Sequence, residues 1–257
     1  MKKTIKLIIG AAAIVAVATI VVLVVLFMNE KKQTEFYKSQ PLNLPENFTY
    51  TAHTGCCGTS DNSLESIKVG VEHSASIVEF DLYFDSENIP VLSHDEPVGG
   101  EVTLDEAFKL VSTYEALMVN VDVKDFKELS VVWELAKKYN IEKRIFFTGV
   151  ESENVEIVKT ECPDVPYYLN VDVKKAGSHT PEYLNELIKT IKDNGAVGIN
   201  FNKDSASKEL VDAFHKNDLL VSIWTVSEEK DMYKILYFAP DNITTRNPDV
   251  LKELLQK

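Results

Sequence analysis

The sequence predicts a (β/α)8 barrel that follows one N-terminal transmembrane helix. Three observations predict it. Beyond residue 47, runs rich in β-branched residues alternate with amphipathic stretches, giving eight strand-helix units in about 210 residues. Strict alternation of this kind implies a parallel sheet, and eight units are enough to close it into a barrel. The competing arrangement is an open doubly wound sheet, which usually carries G-x-G-x-x-G after its first strand. Here Gly55 and Gly58 flank two cysteines without that spacing. Finally, residues 7–28 form an uncharged apolar run, which as a helix would be about 33 Å long and would cross a bilayer core.

The expected elements follow in chain order. A strand at 50–53 precedes a helix at 64–72. A strand at 76–84 is followed by a short extended piece at 89–93 and a helix at 104–114. Later strands fall at 117–123, 144–148, 166–173, 197–201, 219–226 and 242–245. The helices that follow them fall at 129–139, 154–161, 181–194, 207–216, 230–238 and 250–256.

Residues 1–28 are read as a cytoplasmic tip and membrane anchor, 29–47 as a linker, and 48–257 as the barrel domain. Lys2, Lys3 and Lys6 precede the apolar run, and Glu30, Lys31 and Lys32 follow it. A cleaved secretory signal is the alternative. Ala16 and Ala18 are small enough for a cleavage site, but ten more apolar residues follow, making the run longer than a signal core. No cysteine near its end suggests a lipoprotein anchor. The charge bias favours a single-pass protein of the cell membrane with its barrel outside the cytoplasm. The linker is polar and contains Pro41 and Pro45.

Hydrophobic residues make up 45% and charged residues 26%, which excludes a disordered chain. The net charge is −13, and residues 1–32 carry +4 of their own, leaving −17 for the rest. Such an acidic domain repels phosphate backbones, so nucleic acid is not an expected partner. Three cysteines do not make a disulfide framework. Cys56 and Cys57 follow the first strand and Cys162 precedes the fifth, at opposite ends of a barrel, too far apart to bridge.

In a (β/α)8 barrel the active site lies at the C-terminal ends of the strands. His53 and Thr54 end the first strand. Glu79 and Asp81 lie two apart on the second, so both leave one face while Val78 and Phe80 take the other. The apolar pair suits packing under helices, which turns the carboxylates inward. Neighbouring inward carboxylates repel unless a proton or cation lies between them. Asp122, on the next strand, offers a third oxygen, a set suited to a hard divalent cation, Ca2+ or Mg2+. Carboxylates paired to lysines in a solvated mouth are the alternative. His53 and His94 flank this set and suit general acid-base work near neutrality. Asn-Val-Asp-Val-Lys occurs twice, at 120–124 and 170–174, which places Asp122 with Lys124, and Asp172 with Lys174, on alternate strands of one barrel layer. Adjacency to the second strand favours Asp122 as the cation ligand. Asp172 and Lys174 are then expected as a paired polar wall facing a substrate.

The stretches AHTG (52–55), DNSLESI (61–67), VEFDLYFDSENIPVLSHDE (78–96), VNVDVK (119–124), VSIWTV (221–226) and NITTRNPD (242–249) resemble the glycerophosphodiester phosphodiesterase family. The resemblance runs from first strand to last, and 79–94 is its most specific part. It implies a metal-dependent phosphodiesterase on a TIM barrel. His53 and His94 would be its catalytic pair, and Glu79, Asp81 and Asp122 its metal carboxylates, Asp122 standing where the family has Glu. Asp61 and Asn62 match its E-N-T motif, Lys124 its lysine, and Trp224 its aromatic on the seventh strand. The reaction implied is hydrolysis of glycerophosphodiesters to an alcohol and glycerol phosphate, with the substrate's adjacent hydroxyl as nucleophile and a cyclic phosphate as intermediate.

Two departures bear on substrate. Thr54 stands where the family has an arginine that clamps phosphate, a charge that Lys124, Lys174, Lys203 or Arg246 could replace. The family's small insertion after the H-D motif is reduced to residues 96–103, as in the similar sphingomyelinase D-type barrels. The alternatives are therefore the same chemistry on choline or ethanolamine lysophospholipids, or a non-catalytic barrel that binds a phosphorylated ligand.

Overall fold

The computed structural model describes the backbone of residues 2–256 and the side chains of residues 18–256. The chain divides after Pro41 into two units, an N-terminal helix and a barrel.

Helix α1 spans Lys2–Lys38. It continues ten residues past Met28, so the first half of the expected linker is helical. Glu30, Lys31, Lys32, Gln33 and Glu35 are good helix formers, and the first proline comes at Pro41. Among the described residues no helix is long and apolar enough to cross a membrane. The anchor expected over 7–28 lies partly outside them, because the side chains of 7–17 are not described.

The barrel is built from β1 (Thr49–Ala52), β2 (Ile77–Phe84), β4 (Met118–Val123), β5 (Ile145–Val150), β6 (Tyr167–Asn170), β7 (Gly198–Asn202), β8 (Leu220–Trp224) and β9 (Asn242–Thr245). All pair in parallel, and β1 bonds to both β9 and β2, which closes the ring. Strand β3 (Pro90–Leu92) lies outside it, antiparallel on β2. Helices α2 (Leu64–Glu72), α3 (Leu104–Val111), α4 (Leu129–Lys138), α5 (Val155–Glu161), α6 (Pro181–Asn194), α7 (Lys208–His215), α8 (Glu229–Phe238) and α9 (Pro248–Leu255) follow the strands.

Local chemistry marks several helix starts. The Ser63 side chain accepts from Ser66 N at α2. Thr103 and Glu106 form a reciprocal capping box at α3. Thr180 caps α6, with Pro181 in its first turn and Gly195 closing its end in the left-handed conformation. Each arrangement satisfies backbone groups that a helix terminus leaves unpaired.

The core lies between sheet and helices. Val78, Phe80, Val121, Phe147, Phe201 and Ile223 point outward and are buried, and the Phe80 ring lies 6.2 Å from that of Phe108 on α3. Inside the barrel the residues are largely polar. Asn242 bonds Thr49, Thr51 and Ser222 in a buried network below the mouth. This two-sided pattern follows the period of two along each strand.

The expected strand at 166–173 is shorter. β6 ends at Asn170, where its pairing with β7 ends at Asn200, and its register with β5 shifts between Phe147 and Val150. Asp172 and Lys174 therefore sit in the following loop. Lys174 lies 4.4 Å over the ring of Tyr183, Asp172 and Lys174 are exposed, and no Asp172–Lys174 ion pair occurs among the described residues. The polar wall expected there is not formed, because alternation no longer governs a chain that has left the sheet.

Candidate active site

The mouth of the barrel holds a cavity of about 220 Å³ whose walls include His53, Glu79, Asp81, His94, Asn120, Asp122, Lys124, Thr148 and Trp224. Register explains the convergence. Asp81 pairs directly with Asp122, and Glu79 with Asn120, between β2 and β4. One ligand oxygen from each of Glu79, Asp81 and Asp122 lies within 4.8 Å of the others.

These carboxylates are individually positioned. Glu79 Oε2 accepts from Thr54 N at 2.8 Å. Asn62 grips Asp81 from both sides, its Nδ2 donating to Oδ2 at 2.9 Å and its Oδ1 accepting from Asp81 N at 3.0 Å. Asn62 thus acts on a carboxylate. It is itself held by its backbone N–H, which donates to the hydroxyl of Thr54. Thr54 is 2% exposed, so the residue standing in place of the family's arginine supports the loop instead of facing solvent. Thr148 Oγ1 lies 3.1 Å from Asp122 Oδ1 and 2.8 Å from Asn120 Oδ1.

The electrostatics are unbalanced. Lys124 Nζ bridges Asp122 at 2.7 Å and Asp81 at 3.2 Å. Burial disfavours its charge, but the two carboxylates prevail and hold the ammonium well above the usual lysine range. One ammonium faces three carboxylates. Burial, with Asp81 and Asp122 beside it, pushes the Glu79 carboxyl well above the usual glutamate range. An all-oxygen set carrying excess negative charge fits a hard divalent cation.

The two histidines differ. His53 Nδ1 is 2.8 Å from the Thr54 carbonyl and 3.7 Å from Glu79 Oε2. The shorter contact places the ring hydrogen on Nδ1, so Nε2 carries the lone pair. Burial lowers the His53 pKa, the Thr54 carbonyl opposes that, and nearby Arg246 adds to it. His94, in the exposed loop after β3, has Nδ1 3.1 Å from Asp95 Oδ1.

The remaining expected residues fall around this centre. Trp224 lines the cavity, and its Nε1 is buried without a hydrogen-bond partner among the described residues. It also lines a second cavity of about 450 Å³, which shares Asn170 and Asn200 with the first and adds Glu151, Glu153 and Asp172. Asp61 pairs with Arg246 across 2.6 Å. Lys203 is held by Asp204 and Asp231. All three cysteines are free.

Sequence reasoning missed Thr148 and Gly149. Thr148 pairs in register with Asp122. At Gly149, φ is +75°, and a Cβ would lie 2.7 Å from Asp122 Oδ1. The signal was available: a threonine and a glycine at the end of a strand otherwise made of Ile, Phe and Val.

Comparison with known proteins agrees with this geometry. The sequence model of the glycerophosphoryl diester phosphodiesterase family matches residues 45–141 and 115–250. A glycerophosphodiester phosphodiesterase of Caldanaerobacter subterraneus subsp. tengcongensis is 22% identical over 247 residues, covering 77% of this chain and 93% of that protein. Among solved structures, an Oleispira antarctica phosphodiesterase in complex with the product sn-glycerol-3-phosphate superposes with a TM-score of 0.69 at 16% identity, covering 83% of this chain and 98% of that one. A glycerophosphodiester phosphodiesterase from Parabacteroides distasonis gives 0.65 at 17% identity, covering 82% and 96%. The barrel is thus shared with solved members, and the sequence match along it shows that this chain belongs to the glycerophosphoryl diester phosphodiesterase family of phosphoric diester hydrolases.

Proposed function

We propose that the chain hydrolyses glycerophosphodiesters to an alcohol and glycerol phosphate. One observation carries this reading: both histidines and the three clustered carboxylates line the same cavity. The floor is anionic and so is a phosphodiester, so a divalent cation, Ca2+ or Mg2+, held by Glu79, Asp81 and Asp122, fits between them. Such a cation supplies charge neutralisation and polarisation of the phosphoryl group. His53, with its lone pair on Nε2 and burial favouring the neutral ring, takes the proton from the substrate's adjacent hydroxyl. His94, in its imidazolium form, gives a proton to the departing alkoxide. The same pair in exchanged roles hydrolyses the cyclic phosphate with water. Lys124 bridges Asp81 and Asp122 and partly neutralises them.

Turnover of glycerophosphodiesters by the full-length chain tests this. Activity should require a divalent cation, and His53→Ala and His94→Ala should each lower kcat by at least about 10²-fold. Full activity after exhaustive chelation would sink the reading.

A second reading, phosphodiesters with a choline or ethanolamine head group, is favoured by the adjoining cavity. Three carboxylates and an indole suit a cationic alcohol. Assays of glycerophosphocholine, glycerophosphoglycerol and lysophosphatidylcholine in parallel separate the two.

The domain is further proposed to stand outside the cytoplasm on a membrane anchor. The run at 7–28 supports it, as do nine consecutive apolar side chains at 20–28, all at least 49% exposed. Alkaline carbonate extraction should leave the chain in the membrane fraction, and release into the supernatant would argue against the anchor.

A further inference from the structure

We infer that Arg246 is the guanidinium that receives the substrate's phosphodiester anion, held in place by Asp61. The inference rests on the hydrolase reading above and deepens it.

Beyond the divalent cation proposed on the floor, the phosphodiester anion calls for a cationic side chain, and the nearby lysines are engaged elsewhere. Lys124 is engaged by Asp81 and Asp122 together. Lys203 lies between Asp204 and Asp231. Lys174 stacks on Tyr183 in the loop beyond β6. Arg246 is placed differently. Thr244 lines the cavity, and β9 ends at Thr245, one residue before Arg246. Ala52 pairs with Thr245, so the next residues of the two strands, His53 and Arg246, end up side by side. His53 N donates to Thr245 O at 2.9 Å, and Cys57 N to Arg246 O at 2.8 Å. The backbone of Arg246 is therefore fastened to the segment that carries the catalytic base.

The guanidinium is also fastened, without being used up. Nη1 is 2.6 Å from Asp61 Oδ1, and Nη2 is 3.5 Å from Oδ2. This engages one edge of a group with five N–H donors and leaves the others without a partner among the described residues. Both side chains are about half-exposed, at 42% and 57%, so the remaining donors are accessible from solvent. The pair crosses directly over Gly55. A Cβ there would lie 2.0 Å from Asp61 Oδ1 and 2.6 Å from Arg246 Nη1, and φ at Gly55 is +70°. A side chain at position 55 would displace the pair. The turn after His53 thus has the shape that lets a guanidinium lie against it.

The competing account is a structural tie between the β1 loop and the end of β9. Arg246→Gln, Arg246→Lys and Asp61→Asn in the full-length chain, loaded with divalent cation, distinguish the two. Steady-state kinetics, calorimetric titration with inorganic phosphate, cation affinity and Tm are measured for each. A phosphate-binding role predicts that Arg246→Gln raises KM and the phosphate Kd by about tenfold to a hundredfold. Cation affinity should stay within about twofold, and Arg246→Lys should recover part of the loss. Equal falls in Tm for Arg246→Gln and Asp61→Asn, with KM and phosphate affinity unmoved, would overturn the inference. A wild-type chain without turnover would sink the hydrolase reading instead. The phosphate titration would still judge Arg246 by the same criterion.

Discussion

Asp122 shows how tightly one carboxylate can be held. It pairs in register with Asp81 on one side and Thr148 on the other, its Oδ2 meets Lys124, and its Oδ1 occupies the space a side chain at 149 would need. Gly149→Ala places a Cβ 2.3 Å from the Val123 carbonyl and 2.7 Å from Asp122 Oδ1, in a left-handed conformation that itself costs about 1–2 kcal/mol. This substitution should lower Tm and also weaken divalent-cation binding by at least about tenfold, since Asp122 must move. Calorimetric titration of the cation checks it, and a fall in Tm with unchanged affinity would separate Asp122 from the cation site.

Two copies of Asn-Val-Asp-Val-Lys meet opposite fates at the level of the element. In β4 the first four residues of the copy lie in a six-residue strand paired on both sides, so Asn120 and Asp122 both project inward. At 170–174 the strand stops after the asparagine, and Asp172 lines only the second cavity. Asp122→Asn should therefore weaken cation affinity strongly, and Asp172→Asn should leave it unchanged. Equal losses in titrations of the two variants would reverse the assignment. A second element-level test concerns α3, whose capping box follows the short loop that replaces the family's insertion. Thr103→Ala removes the acceptor for Glu106 N and should cost about 1 kcal/mol of stability with kcat unchanged, as denaturant unfolding and assay together would show.

For the molecule as a whole, the charge gathered at one end of the barrel makes stability depend on pH and on cation together. Glu79 has its pKa raised by burial and by Asp81 and Asp122, so the cation-free folded chain keeps a proton that the unfolded chain releases. The folded state then binds more protons across the window above the ordinary glutamate pKa, and stability falls as pH rises through it. Chelated wild-type protein should lose more stability between about pH 5 and about pH 7.5 than Glu79→Gln does. Saturating cation should restore it at the higher pH, because binding to the folded state alone is stabilising. Thermal melts of both proteins, with and without cation, check this; parallel pH profiles would show that Glu79 is not the group responsible.

Alternation in the sequence by itself determined eight strand-helix units of a parallel sheet, and with them the shared face of Glu79 and Asp81. The expected helix at 64–72 and strand at 242–245 coincide with α2 and β9, since each is bounded by residues that stop or start it locally. Histidines and carboxylates were legible because few other arrangements tolerate them at strand ends. The tertiary structure alone decided where β6 stops, that α1 runs on to Lys38, that Thr54 and Asn62 serve Asp81, and that Arg246 meets Asp61 from 185 residues away. The physical reason is the range of the forces. Period and capping act within a few residues, whereas register, barrel closure and ion pairing depend on which strands become neighbours.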